Sequence, residues 1–443
     1  LLNEYPVSNA TTRTIPINKL DYTNDGTWDI RLSDELIPVF DSIRSEQISV
    51  KDISDVNRGL VTGDSDKYLF ETPQNENYHP LLSGGDIDRY TMNTPETYVK
   101  LDKPDEGGGC WDENIQLAKN KILIRQIGSY PTGTVDTEGY CFSVNLFSLI
   151  LKDKYDPHAI LGIINSTLIK NYWLILYQDF KRTFTQLKGE DIEDIPISTR
   201  IMETIDITNR EYTDLFTKTS DPQNYQDLLS QVVKNMIDIK KSRRIMNLDL
   251  NSYLPTKYGS ISCSNIGLLQ PTQTKQSELS KTKEDLSNLR IGTVTVDRES
   301  ANTILIKATA RYKPDDEDAH DTDQWGYTET DYLPAFRITD LTETEADLIE
   351  HFVPVAVDEA GGFANFRETA TKTNSLVDRL KAIELPDVDD VADDLENYLR
   401  TVERAEELDE KIEKTDDLID EIVYELYGLT NEEIEIVGEA TAE

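Results

Sequence analysis

Hydrophobic spacing changes character several times along this chain. Residues 1–45 are polar, with a strand-and-turn pattern followed by helical spacing from about Ser33 to Ile43. Residues 46–200 alternate β-prone runs with glycine and proline turns. One segment of that region, residues 157–178, has the helical period instead, with apolar side chains at Ile160, Ile163, Ile164, Leu168, Tyr172 and Ile175. The pattern predicts a domain of strands with one strong helix.

The second half of the chain begins with a helix-and-loop connector over residues 201–288. Strand patterns return over residues 289–368, where "RIGTVTVD", "TILIKATARYK" and "LPAFRITDL" predict a β-rich subdomain. Residues 369–437 have helical spacing, and residues 438–443 are left as a tail. A heptad seam runs through Val391, Leu395, Tyr398, Val402 and Ala405.

A further apolar group, from Leu418 to Leu426, is expected on a following helix that ends near Gly428. The C-terminal region is therefore predicted to be a helical hairpin or a short coiled coil. Together these patterns predict the α+β class, with a mixed α/β domain over residues 46–200, a second β-rich subdomain and the C-terminal helices.

The charge of the chain indicates the solvent conditions in which the protein works. The 443 residues contain 84 acidic and 45 basic side chains, a formal net charge of −39. The acids are spread through periodic segments instead of forming a tail, which favours a folded chain over a disordered one. Such a surface is typical of a cytoplasm at multimolar salt, where repulsion is screened within about 3 Å at 1 M. A halophilic protein is the first interpretation, and a signal for a particular partner is the alternative. No signal peptide or apolar run of about 18 residues occurs, so we expect a cytoplasmic location and no membrane partner.

Familiar catalytic and metal-binding motifs are missing from the sequence. It contains no phosphate-binding G-x-x-x-x-G-K-[ST], no G-x-G-x-x-G after a strand, no H-E-x-x-H and no G-x-S-x-G. The three cysteines, Cys110, Cys141 and Cys263, are far apart in sequence, and the four histidines are isolated. The acidic run "PDDEDAHDTD" lacks the glycine and terminal glutamate of a calcium loop and is interpreted as a solvated loop. We therefore predict no catalytic residue and no metal ligand.

Two short windows are locally positive in this acidic chain. Residues 117–130 contain Lys119, Lys121 and Arg125 with no acid, and residues 168–188 contain four bases with Asp179 alone. One interpretation is that these bases cover a strand rim or pair with nearby carboxylates. The other is that both windows fold onto a common face that binds a polyanion.

Nucleic acid is the polyanion that these residue types fit best. Arginine and lysine bind guanine edges, glutamine pairs bidentately with adenine, and aromatic rings stack on bases or brace the backbone. We expect one set of side chains to face DNA and two lysines, Lys170 and Lys188, to contact phosphates. The DNA-facing set is Arg125, Gln126, Tyr130, Lys181, Arg182 and Gln186.

Several segments, taken in order, resemble a known family. They are "GLVTGDSDKYLF", "HPLLSGGDIDRY", "KILIRQIGSYPTGTVDTEGYCFSVNLFSLIL", "ILGIINSTLIKNYW" and "KRTFTQLKGEDIEDIPI". This set resembles the TaqI-like C-terminal specificity domain of adenine-specific DNA methyltransferases and type IIG restriction-modification enzymes, in a haloarchaeal form. The resemblance covers roughly residues 46–200, and its most specific element is the G-x-I-N-S helix followed by an aromatic-basic turn and L-x-x-I-P-I.

The resemblance implies recognition of double-stranded DNA, with S-adenosylmethionine bound by an upstream methyltransferase domain of a parent enzyme. Residues 1–45 would then lead in from that domain, and the start at Leu1 without methionine suggests the C-terminal part of a longer polypeptide. Neither the [ND]-P-P-[YF] motif nor a glycine-rich cofactor motif occurs here, so this part is expected to bind no cofactor. Two other hypotheses remain: a protein-interaction scaffold that acts through the helical hairpin, and an autonomous enzyme.

Overall fold

The computed structural model describes residues 35–45, 47–177, 185–205, 222–271, 277–316, 319–358 and 373–439. The chain divides into two compact units. The first unit comprises Leu1–Ile245 with Glu407–Glu443, and the second comprises Met246–Glu406. Each unit contains its own hydrophobic core. The predicted α+β class is confirmed, since helices and several small sheets occur in both units.

The first unit carries most of the short strands. Its strands are β1 (Gln47–Ser49), β2 (Ser54–Arg58), β3 (Leu69–Phe70), β4 (Tyr78–Leu82), β5 (Ile87–Asp88), β6 (Thr91–Met92), β7 (Thr97–Lys100), β8 (Lys121–Arg125), β9 (Gly133–Asp136), β10 (Cys141–Phe142), β11 (Leu146–Leu151) and β12 (Pro196–Ser198). Its helices are α1 (Leu36–Arg44), α2 (Val50–Ile53), α3 (Ser65–Tyr68), α4 (Glu113–Gln116), α5 (Pro157–Ile164), α6 (Thr167–Leu176), α7 (Gly189–Glu193) and α8 (Tyr225–Arg244).

The second unit is built on one five-stranded sheet. Its strands are β13 (Ser260–Ser262), β14 (Leu268–Pro271), β15 (Arg290–Ser300), β16 (Thr303–Tyr312), β17 (Thr328–Glu329), β18 (Leu333–Thr339) and β19 (Glu384–Pro386). Two helices lie wholly within it, α9 (Glu343–Asp358) and α10 (Leu376–Lys381). The last helices of the chain are α11 (Val388–Tyr427), which continues from the second unit into the first, and α12 (Asn431–Glu439).

Two four-stranded sheets organise the front of the first unit. One has the order β2-β11-β8-β9, with every neighbouring pair antiparallel. The other has the order β10-β4-β7-β3, in which only the β10–β4 pair is parallel. Strand β8 is apolar and buried from Ile122 to Ile124, and helix α5 packs on this sheet.

The strong helix predicted over residues 157–178 is two helices, α5 and α6, with a break at Asn165 and Ser166. The Asn165 side chain pairs with both backbone groups of Gly133: Oδ1 accepts from its N–H and Nδ2 donates to its carbonyl, each at 3.0 Å. Ser166 then begins α6 by accepting from the Ile169 N–H at 3.2 Å. Apolar periodicity alone did not reveal this break, because the side chains on both sides of it are buried.

The second unit departs from the sequence prediction in one helix. A β-rich subdomain was predicted over residues 289–368, but residues Glu343–Asp358 form α9. A capping box starts this helix: the Thr342 N–H donates to Glu345 at 2.7 Å, and the Glu345 N–H donates to the Thr342 hydroxyl at 3.2 Å. The sequence "TETE" before the apolar run is typical of such a capping box, and the prediction of strands in this region did not take it into account.

The C-terminal apolar groups lie on one helix, so the expected break between them is wrong. Helix α11 runs for 40 residues, and its sequence from Ala405 to Leu418 contains neither glycine nor proline to interrupt it. Val391 and Leu395 are buried in the core of the second unit, while Leu418 and Ile422 are buried in that of the first. The helix ends at Gly428, whose φ of 69° is left-handed and suits glycine.

Within the described ranges, no single helix is long and apolar enough to cross a membrane. The bent pair α5 and α6 passes a test of length and composition together, but most of its apolar side chains are buried in the core of the first unit.

Candidate nucleic-acid interface

Two strands of the β2-β11-β8-β9 sheet end in arginine at the same end of the sheet. Strand β2 ends at Arg58 and strand β8 ends at Arg125, on either side of the beginning of β11. The register confirms this placement, because Arg58 is opposite Phe147 and Arg125 is opposite Leu146. Two arginines that lie 67 positions apart in sequence therefore meet at one end of the sheet, which we call the sheet edge, and start from opposite faces because Leu146 and Phe147 are consecutive.

Gly59 makes the position of Arg58 possible. A Cβ atom at residue 59 would lie 2.0 Å from the carbonyl oxygen of Ser143, so only glycine allows this approach of the two backbones. The Gly59 N–H donates to Leu146 O at 3.0 Å and closes the contact. Gly59 was interpreted from sequence as a turn former, whereas here it permits close backbone contact.

The two basic windows are neighbours in the fold where the structure describes them. Residues 126–128, just past β8, pair with residues 185–187: Gly128 N–H donates to Thr185 O at 3.1 Å, and Leu187 N–H donates to Gln126 O at 2.8 Å. An antiparallel bridge joins Ile127 to Gln186 between these bonds. The described part of the second window is thus attached to the end of the first.

Several predicted contact residues are exposed or partly exposed at this junction. Gln186 and Lys188 are exposed, and Arg125 is partly exposed. The Lys188 ammonium lies 3.7 Å from Glu190, in a pair that is exposed on both sides and therefore weak. The Arg125 guanidinium has no carboxylate partner among the residues the structure describes.

Lys170 on α6 and Tyr130 in the β8–β9 loop form a second contact between the two windows. The Lys170 ammonium lies 5.1 Å from the centroid of the Tyr130 ring, within the range of a cation–π interaction. Both side chains are partly exposed, so the ammonium keeps room for another partner.

The Gln126 side chain is directed into the protein. It is 7% exposed, and its Oε1 accepts a hydrogen bond from Arg58 Nη2 at 3.3 Å. With the amide turned over, its nitrogen donates to Val144 O at 3.0 Å and its oxygen accepts from Arg58 Nη2 at 3.2 Å. In this arrangement the exposed Arg58, which was not among the sequence candidates, is the group that Gln126 orients. The signal that could have found it was a basic residue just before an essential glycine.

Lys121 does not belong to the exposed positive charge of its window. It is fully buried, and its Nζ donates to Asp136 Oδ2 at 2.6 Å and to the carbonyls of Ala118 and Tyr140 at 2.8 Å each. Asp136 also accepts from the N–H groups of residues 138–140 at 2.8–2.9 Å. Counting Lys121 in a polyanion-binding window was therefore wrong, since a buried ion pair holds it. Burial lowers the pKa of Lys121, against the opposing effect of Asp136.

Lys181 and Arg182, the other two predicted contact residues, lie outside the described residues. They stay predictions from the sequence.

Two observations concern metal-ligating side chains and thiols in the described ranges. No group of three or more potential metal-ligating side chains occurs there. Burial raises the pKa of Cys141 and of Cys263 to about 12, so both thiols stay protonated near neutral pH. The site instead offers hydrogen-bond donors, positive charge and one aromatic face, which is the chemistry of binding.

The comparisons with known proteins bear on this same segment. The family model of the TaqI-like C-terminal specificity domain matches residues 79–197. No curated protein matches the sequence. Among solved structures, the chain is similar to a type I restriction-modification system S subunit from M. genitalium, with 10% identity, 87% of this chain and 96% of that chain covered, and a TM-score of 0.42.

It is also similar to the HsdS subunit from Thermoanaerobacter tengcongensis, with 10% identity, 86% of this chain and 96% of that chain covered, and a TM-score of 0.30. The family match includes β8, the β8–β9 loop, α6 and the residues that pair with the loop. The TaqI-like C-terminal specificity domain that the sequence segments predicted thus matches residues 79–197 of this chain.

Proposed function

We propose that this chain recognises a specific sequence in double-stranded DNA through the sheet edge described above. We call this surface the cationic edge, defined by Arg58, Arg125, Tyr130, Lys170, Gln186 and Lys188. The observation that supports the proposal most is the pairing of residues 126–128 with 185–187, because it brings two separate basic windows onto one edge. The specificity-domain match over residues 79–197 supports the same function.

The side chains divide into base-reading and phosphate-binding roles. Arg58 and Arg125 present planar guanidinium groups suited to guanine O6 and N7, and Gln186 presents an amide suited to adenine. Lys170 and Lys188 are point charges suited to phosphates, which fix the position of the duplex without reading it. Lys181 and Arg182 belong to the same window and stay predictions from the sequence, since they lie outside the described residues.

The parent system is an adenine-specific DNA methyltransferase or a type IIG restriction-modification enzyme. Methyl transfer from S-adenosylmethionine belongs to a separate domain, since neither a cofactor motif nor a target-adenine motif occurs in these 443 residues. The protein works in a cytoplasm of high salt. There the counterion-release part of affinity is small, so base-edge hydrogen bonds carry more of the binding and few basic residues suffice.

Selection from a random duplex library in 2 M potassium chloride tests this function. The wild-type chain is expected to enrich one short sequence. The double variant Arg125→Ala/Gln186→Ala is expected to lose that enrichment, because it removes two base-reading groups from the cationic edge. Lys119→Ala is the matched control, since Lys119 is an exposed cation in the same window at the opposite end of β8.

Two results would contradict the proposal. If the wild-type chain enriches no sequence, the scaffold hypothesis replaces DNA recognition. If the double variant enriches the same sequence as the wild type, the cationic edge is not the surface that reads DNA.

A further inference from the structure

A second concentration of positive charge lies in the first unit, away from the candidate site residues. It is a cleft of about 390 Å³ between the β5–β6 hairpin and the C-terminal end of α8. Four basic side chains line it: Arg89 from the hairpin, and Lys240, Arg243 and Arg244 from the helix. The sequence marks the helix residues as the cluster "KKSRR", to which the proposed function assigns no role.

Two of the four cations have carboxylate partners. Arg243 Nε lies 2.9 Å from both carboxylate oxygens of Asp409, and Arg89 pairs with Asp416. Lys240 and Arg244 have no carboxylate partner within the described part of the chain. The cleft therefore contains paired arginines that are held in place and two cations that remain available.

Lys240 lies beside Arg89, and its ammonium is 5.7 Å from the centroid of the Tyr90 ring. Its side chain is partly buried, and its Nζ donates to the Arg89 carbonyl at 3.0 Å. Burial and the neighbouring Arg89 charge both lower the pKa of Lys240. The helix dipole stabilises basic residues in the last turn of a helix. It does not explain why the partly buried Lys240 lies beside Arg89.

The acidic residues of the cleft are engaged by the hairpin backbone. Asp86 accepts from the Ser83 N–H at 2.7 Å and hydroxyl at 2.8 Å, and Asp88 accepts from the Arg89 N–H at 2.8 Å. These bonds fix the carboxylates in the turn, so the basic side chains supply the donors that face an incoming group.

A short path of backbone contacts connects the cleft to the cationic edge. The Arg125 N–H donates to Thr132 O at 2.9 Å, and the next residue, Gly133, accepts from the Tyr90 N–H at 3.0 Å. Lys240 then reaches the carbonyl of Arg89.

We infer that this cleft binds a phosphodiester of the DNA backbone while the cationic edge faces the bases. The inference rests on the proposed function, which supplies the duplex. Lys240 and Arg244 provide the charge, and Arg89 and Arg243, oriented by their carboxylates, complete the cleft. The contact positions the duplex and carries no sequence information.

Salt titration of duplex binding tests the cleft. Arg244→Gln and the double variant Arg244→Gln/Lys240→Gln are compared with the wild-type chain on the selected sequence and on a scrambled duplex. Loss of one phosphate contact lowers the slope of log affinity against log salt by about 0.9, which is roughly eightfold in affinity at 0.1 M salt. We expect equal loss on both duplexes, whereas the base-reading variant Arg125→Ala/Gln186→Ala loses affinity mainly on the selected one. Lys234→Gln removes one charge from α8 outside the cleft and is expected to keep the wild-type slope.

Thermal unfolding with inorganic pyrophosphate distinguishes an error in the proposed anion cleft from an error in the proposed function. We expect pyrophosphate to raise the thermal midpoint of the wild type and of Arg125→Ala/Gln186→Ala, but not that of Arg244→Gln/Lys240→Gln. Duplex binding with an unchanged salt slope in the cleft variants would overturn the cleft and leave the proposed function standing. Stabilisation by pyrophosphate that depends on Arg244 and Lys240, in a chain that binds no duplex, would retain the anion site and overturn DNA recognition.

Discussion

The two ends of strand β8 carry basic residues in different environments. Lys121, at its beginning, is fully buried and bonded to Asp136 and two carbonyls. Arg125, at its end, is partly exposed and has no carboxylate partner among the described residues. Only three residues separate them in sequence, and both belong to the same positive window.

The difference shows that local charge does not predict availability. A charge removed from water requires a partner and further hydrogen bonds, and Asp136 with the carbonyls meets that requirement for Lys121. A charge left in water at a sheet edge has no such requirement and is free to bind an external anion. The Lys121 end of β8, which we call the closed end, thus contributes to stability. The Arg125 end, which we call the open end, is available for recognition.

The largest expected effect is at the closed end. Asp136→Ala leaves Lys121 buried without its counter-charge and removes the acceptor of three backbone N–H groups. We expect a loss of about 3–5 kcal/mol in the free energy of unfolding, measured by urea titration. The exposed neighbour Glu138→Ala is the control and should change stability by less than about 0.5 kcal/mol. An equally small change in Asp136→Ala would show that the buried pair does not stabilise the fold.

At the open end the order of effects reverses. Arg125→Ala should leave the unfolding free energy within about 0.5 kcal/mol of wild type, because the side chain is partly exposed. Duplex affinity for the selected sequence should fall by about 2 kcal/mol, roughly 30-fold, if its guanidinium reads a guanine edge. Fluorescence anisotropy on selected and scrambled duplexes measures this loss. A destabilised variant, or equal loss on both duplexes, would contradict base reading by Arg125.

The smallest effect is expected at Lys170. This residue is partly exposed, as Arg125 is, but its charge has a partner, as that of Lys121 has. Its ammonium contacts the Tyr130 ring, and an exposed cation–π contact is worth only about 0.5–1 kcal/mol. Lys170→Met keeps the aliphatic stem and removes the charge. We expect it to lower the salt slope of duplex binding by about 0.9 with no change in sequence preference. Altered sequence preference would instead assign Lys170 to base reading.

Much of the fold could be predicted from the sequence because its signals are local. Alternation and turn residues predicted the strands of both units, and the G-x-I-N-S segment with its neighbours predicted the specificity domain that matches residues 79–197. The errors also have local causes. The capping box at Thr342 was missed, and helix α11 continues through a polar stretch that was interpreted as a break.

The candidate site was harder to predict, since it depends on contacts between distant segments. The approach of Gly59 to Ser143 positions Arg58, and nothing near Arg58 in sequence indicates that Gln126 will orient it. The basic cluster of α8 was visible as a pattern, but its cleft depends on the β5–β6 hairpin about 150 residues earlier.

By itself, the sequence determined the fold class, the position of the specificity domain and the presence of two sparse basic windows in an acidic chain. The tertiary structure alone decided which of those bases face solvent. Secondary structure and family patterns arise from neighbouring residues, whereas burial, ion pairing and the alignment of strand ends depend on residues that only folding brings together. For this reason Lys121 and Arg125 are equivalent in the sequence and differ in the folded protein.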